Sequence, residues 1–180
     1  MTRNDLKRFS ALDIDFESVG LMEPGMEQEP YFCTPVDAEP VGRLGVDGIH
    51  FILLPQDERV FCVDPAMGEI GTYVLPVAKD FRQFLAFLLY CKDANPLSQI
   101  WWLSEDRFRQ LLEEDTQASW PGCEHYFTKK NTALAKIADA FSLLPEDPYQ
   151  TVRSLQREFD PGTLHFSAEY YDVLGLEPAH

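Results

Sequence analysis

The residues best suited to covalent chemistry are Cys123 and His125, two apart in Trp120-Pro121-Gly122-Cys123-Glu124-His125. A thiol becomes a strong nucleophile once a neighbouring imidazole takes its proton, which needs hydrogen-bond reach of roughly 2.6–3.2 Å. Residues two apart in an extended segment lean the same way. No third group to orient the histidine is evident nearby. A structural loop is the favoured reading of the stretch, and a cysteine-dependent enzyme the remote one.

Other chemistries lack their residues. His50, His125, His165 and His180 are far apart, with no H-x-x-x-H pairing, and the four cysteines form no C-x-x-C pair. His50 alternates onto the face opposite Phe51 and reads as a satisfied core histidine. The glycines are scattered, with no phosphate-cradling loop and no G-x-S-x-G elbow. With 30 acidic side chains, some carboxylates must lie close together, so proximity argues for nothing. No catalytic, cofactor-binding or metal-binding residue is therefore assigned, and the protein is read as a non-enzyme without a cofactor.

Two features suit partner binding instead. Glu113-Glu114-Asp115 ends a helical pattern, where negative charge opposes the helix macrodipole. That small cost hints at a use for the cluster, although such runs are usually just a solvated helix end. Trp101 and Trp102 are adjacent, so both cannot face the core equally, and one is expected to be partly exposed. Aromatic plugging of an element end is the plainer reading of that pair. The candidate contact residues are thus Trp101, Trp102, Glu113, Glu114 and Asp115.

The elements that must position them are legible from the hydrophobic period. Residues 1–30 show no sustained period and read as an arm, with a helical turn around 5–12 and a loop over 23–30. Residues 31–77 read as β: short runs at 31–34, 41–46, 49–54, 59–63 and 70–75, separated by turn chemistry. The run Ile49–Leu54 is almost wholly apolar, which suits a central strand covered on both faces. At Asp80 the period changes. Phe81, Phe84, Leu85, Leu88 and Leu89 fall on one helical stripe, widened by Phe87 and Tyr90, with Asp80 and Gln83 placed as a capping box. Further helices are expected after the caps Ser104 and Asn131 and from Asp147-Pro148, and a docked tail after Ser167. The fold class is α+β: an antiparallel meander packed by a central amphipathic helix, with a helical C-terminal extension. The division expected is a single domain over 1–180, comprising the arm 1–30, the sheet plus core helix 31–103, and the extension 104–180.

Composition bounds the partners. The chain has 180 residues and carries 30 acids against 15 bases, a net charge of −15. Such a surface repels nucleic-acid backbones and anionic lipid and attracts a basic protein. Solubility alone is the other reading of the same charge. No run approaches the ~20 apolar residues of a membrane span, and the N-terminal bases are not followed by the apolar segment of a secretory signal. Widely spaced cysteines in mostly apolar surroundings suit buried free thiols and a reducing, cytoplasmic location.

Three segments together carry a resemblance. They are Val41-Gly42-Arg43-Leu44-Gly45-Val46-Asp47-Gly48 running into Ile49–Leu54, then Val60–Val63 ending in Asp64-Pro65, then Val74–Val77 leading into Asp80-Phe81-Arg82-Gln83-Phe84-Leu85. Over residues 31–92 the chain resembles the SUKH superfamily, which takes in fungal cell-wall-synthesis regulators and many bacterial immunity proteins. The resemblance implies an α+β fold, no catalysis and function by protein binding. For an immunity protein that means neutralising a toxin; the alternative is a regulatory or scaffold protein of the same fold. The family places one or two helices before the sheet, and none of that kind is legible in residues 1–30.

Overall fold

Strand alternation divides the side chains of a four-stranded sheet between two separate cores. The computed structural model describes residues 1–178, so His180 lies outside the described residues. The strands β1 (Glu39–Arg43), β2 (His50–Leu53), β3 (Val60–Val63) and β4 (Val74–Ala78) form an antiparallel meander in the order β1-β2-β3-β4. Around it lie α1 (Thr2–Ser10), α2 (Phe81–Cys91), α3 (Glu105–Gln117), α4 (Cys123–Phe141), α5 (Tyr149–Glu158) and α6 (Ala168–Leu174). The class is α+β, as the periodicity predicts. Pro40 in β1 and Pro76 in β4 sit on the two edge strands, the positions where a missing N–H costs the ladder least.

One face of the sheet presents Phe51, Leu53, Val60, Cys62 and Val77 to the larger core, which α2 fills with Phe81, Phe84, Leu85, Phe87 and Leu88. Aromatic contacts fix that packing: Phe84 meets Phe51 edge-on at 5.0 Å and stacks on Phe81 at 5.9 Å, while Phe9 of α1 meets Phe81 at 5.5 Å. The N-terminus of α2 is capped by Asp80, whose Oδ1 accepts from Gln83 N at 2.8 Å. The Gln83 side chain returns to Lys79 N at 3.0 Å, one residue earlier than a standard capping box requires. On the opposite face, Ile52, Phe61, Val63 and Val74 form a second core with Cys33, Phe32, Phe159, Phe166 and Tyr170. The tail docks through Tyr170 of α6. Both faces of β2 are covered, as its unbroken apolar run predicts.

Several local expectations are corrected. Residues 31–34 are a turn and not a strand, closed by Thr34 N to Tyr31 O (2.8 Å) and Tyr31 N to Thr34 Oγ1 (2.9 Å). The strand expected over 70–75 begins only at Val74, because Thr72 and Tyr73 close a turn on Glu69 O and Gly71 adopts φ +91°. Asn131 caps nothing: α4 starts eight residues earlier, after Gly122 at φ +85°. Residues 2–10 form a full helix in place of the turn expected at 5–12. Its first amides are met from a distance, since the Glu58 carboxylate accepts from Thr2 N at 2.7 Å. The Thr2 hydroxyl donates to Glu58 O at 3.0 Å and accepts from Phe81 N at 3.2 Å. Propensity in residues 1–12 is weak, so a partner 56 residues away decides where the helix begins.

Two outcomes follow for stability. Phe84→Ala leaves a cavity between α2 and β2 and should cost about 3–5 kcal/mol in urea denaturation, whereas Trp102→Ala at the surface should stay within about 0.5 kcal/mol. Hydrogen bonds from Thr2, backbone first, hold the Glu58 carboxyl down at about 2. A depressed acid stabilises above its unfolded pKa, so that contribution is lost as pH falls from about 4.5 through about 2. The difference in Tm between wild type and Glu58→Gln should be greatest above pH 4.5 and vanish towards pH 2.

Candidate functional site

Acid exceeds base two to one, and most of the bases already have partners in the fold. Arg82 donates to Phe141 O at the end of α4, and Arg8 to Ala140 O at 3.0 Å. Arg153 donates to Trp101 O at 2.6 Å, and Arg3 reaches Leu54 O and the Glu39 carboxylate. Arg109 bridges Glu105 (2.9 Å) and Asp147 (2.7 Å). On α4, Lys129, Lys130 and Lys136 pair with Asp15, Asp93 and Asp13. The exposed carboxylates of Glu27, Glu29, Asp47, Asp106, Glu113 and Glu169 have no hydrogen bond or ion pair among the described residues.

The five candidate contact residues do not form one patch. Trp101 is half-buried and its carbonyl is held by Arg153; Trp102 is 45% exposed. Both precede Ser104, whose hydroxyl caps α3 at Arg107 N. Glu113, Glu114 and Asp115 lie in the last turns of the same helix, roughly 14 Å further along at 1.5 Å per residue. Glu114 accepts from Arg107 (3.0 Å) and Gln110 (2.9 Å), which leaves Glu113 and Asp115 as the free members of the trio.

Asp115 lines a cavity of about 220 Å³ where the ends of α2 and α3 meet α4, together with Cys91, Lys92, Asp93, Thr116, Phe127, Lys130 and Asn131. At its back is the ion pair Lys130–Asp93 (3.0 Å), whose side chains are 12% and 19% exposed. Asp93 is fixed twice over, because its Oδ1 also accepts from Asn95 N at 2.9 Å. Gly20 permits this approach: it sits at φ +68°, and a Cβ there would overlap the Asp93 carboxylate. Burial works against the Lys130 ammonium, but Asp93 and Tyr126 more than offset it and hold its pKa above the ordinary lysine value. Burial, and then the negative charge of Asp93, pushes the Asp115 carboxyl up. Beside the cavity stand three aromatic rings. Trp120 lies 5.5 Å from Tyr126 and 5.6 Å from Phe127, and Trp120 is 44% exposed. Trp120 falls in the stretch that reads as a loop and Tyr126 and Phe127 precede the expected cap Asn131, so the sequence marks none of the three as a site; the helical spacing of Tyr126, Lys130 and Ala133 is the available signal.

The nucleophile hypothesis loses its geometry. Cys123 and His125 are the first and third residues of α4, and positions two apart on a helix do not face each other. His50 is buried, with Nδ1 2.7 Å from Gly48 O and Nε2 3.2 Å from Thr34 Oγ1, a satisfied core histidine whose pKa burial lowers. Burial pushes the Cys33 thiol up to about 12 and raises Cys62 and Cys91 as well. Among the described residues no cluster of three or more His, Cys, Asp or Glu has metal-binding geometry, and no helix is long and apolar enough to cross a membrane. No family model, curated protein or solved structure matches the chain.

Removing one side of the Lys130–Asp93 pair strands the other charge in a partly closed site. Lys130→Met is expected to cost about 3 kcal/mol, with part of the loss recovered in Lys130→Met/Asp93→Asn. Asp115 behaves oppositely. Its raised pKa means that its charged form costs stability above that pKa, a cost relieved as pH falls. Asp115→Asn should therefore leave Tm unchanged or raised at neutral pH, and calorimetry of the three variants checks both signs.

Proposed function

We propose that this protein is a non-enzymatic binding module of the immunity type, a cytoplasmic protein that occludes a basic toxin or effector. One observation carries the reading: most of the bases are tied to carbonyls and carboxylates, leaving Lys7, Lys79, Lys92 and Arg157 exposed without a partner among the described residues, while a larger set of unpaired carboxylates faces solvent. The net charge of −15 is thus expressed at the surface, where it steers a basic partner. The resemblance to the SUKH superfamily supports the same reading. The meander turns at Asp64, whose Oδ1 accepts from Ala66 N and Met67 N, and β4 leads directly into the Asp80-capped α2. The helix α1 precedes the sheet, on the side of the chain where the family places one or two helices.

The test is capture on the immobilised protein from native lysate at low salt, with elution by a salt gradient. One dominant basic protein, released only at high salt and inactive while bound, is the expected result. An on-rate that falls steeply with ionic strength should accompany it. A diffuse set of weak binders would overturn the reading in favour of a regulatory scaffold.

A further inference from the structure

His50 is a buried imidazole with both nitrogens engaged and no counter-charge. It shares the face of Ile52, on the tail-covered side of the sheet. Nδ1 lies 2.7 Å from Gly48 O, which can only accept, so the ring proton sits on Nδ1. Nε2 is then the acceptor, and it takes the Thr34 hydroxyl proton at 3.2 Å. Thr34 Oγ1 in turn accepts from Tyr31 N at 2.9 Å, and the Tyr31 ring stacks on the imidazole at 5.6 Å. One neutral ring therefore holds both ends of the turn 31–34 against β2. That turn carries the fully buried Cys33, and Phe32, whose ring meets Tyr73 at 5.4 Å and Tyr170 of α6 at 6.4 Å.

The charges around the ring offer an imidazolium no support. On β1, Arg43 stands directly across from His50, and its own partner is Glu23. On β3 the residue across is Val63, followed by Asp64, whose Oδ1 is taken by the amides of Ala66 and Met67. Asp47, in the loop between β1 and β2, and Tyr31 line a cavity of about 260 Å³ together with the ring. No carboxylate pairs with His50 among the described residues, and the cavity is large enough to admit the water that delivers a proton. Burial already lowers the pKa of the ring.

We propose that His50 is an acid-sensitive latch: the neutral ring clamps the turn 31–34 to β2, and its protonation frees the turn and uncovers Cys33. An imidazolium makes Nε2 a donor facing a hydroxyl that is itself donating there, and it sets a second cation opposite Arg43 on the paired strand. Once the turn lifts, the ring meets water and binds its proton at the ordinary value of about 6.5. The closed form is thus fully favoured above that pH and weakens as pH falls below it.

The experiment labels the full chain with 4,4′-dithiodipyridine, which reacts with thiols in acid as well as at neutral pH. Rates at Cys33 and Cys62 are read by peptide mass spectrometry and normalised to free cysteine at each pH. Cys33 should react severalfold faster at pH 5.5 than at pH 7.5, with about tenfold as the one-proton ceiling. Cys62, on the helix-covered side, should lag behind it, and His50→Gln should abolish the pH dependence at Cys33. A Cys33 rate that ignores pH, an equal rise at Cys62, or an unchanged pH profile in His50→Gln would overturn the latch. An NMR titration of the His50 ring in the wild-type chain needs no variant. A midpoint below about 6.5 is expected, and one at or above it overturns the proposal.

Discussion

β2 and β3 bury every one of their side chains, so this sheet cannot exist with either face bare. Four strands of four or five residues offer too little area to stand alone, and cover on both sides is the condition for the sheet forming at all. The α2 helix supplies one cover, and it is apolar nearly all round, with α1 and α4 packed against it in turn. The other cover comes from residues far along the chain, Phe159, Phe166 and Tyr170, with Phe32 and Cys33 from before the first strand. Long-range closure of this kind makes the tail part of the fold. Losing it would expose Phe61 and Val63 to water.

The bases form a second structural layer. Arg8 and Arg82 both converge on the C-terminal end of α4, donating to its last carbonyls while lying over the Phe141 ring. A cation at a helix C-terminus is favourable in its own right, and here it also ties α4 to α1 and α2. Arg59 is held by Asp57 and rests between Phe61 and Phe159, closing the rim of the second core. Arg8, Arg59 and Arg82 thus serve the packing of the fold.

Much of this was legible beforehand, for physical reasons. The period-2 to period-3.6 switch at Asp80 marks α2 because its stripe is long and strongly apolar, and the cap residues Asp80 and Ser104 announce two helix starts correctly. The two-sided burial of β2 follows from its unbroken run of apolar residues. The elements missed are those fixed by remote partners. α1 begins where Glu58 meets Thr2, and no local pattern encodes that. α4 was cut short because Asn131 looks like a cap, yet an asparagine inside a long helix simply faces solvent when flanking residues already bind the helix in place. The candidate site divided in the same way. Charge and type pointed to Asp115, but the aromatic ring cluster beside its cavity exists only because α4 starts at Cys123, which brings its first turns beside the end of α3.

Three thiols are distributed over the two layers: Cys62 and Cys91 on the helix-covered side, and Cys33 beneath the C-terminal cover. Burial raises all three, so the reactive thiolate is scarce while each layer stays shut. Alkylation at Cys33 or Cys62 must wait for its own layer to open, whereas Cys91 also lines the cavity beside α4. The molecule thus carries two separate internal clocks, one recording how often the tail peels from the sheet and one recording how often the helices do. Transient opening of either layer can be timed at neutral pH on cysteines the chain already carries.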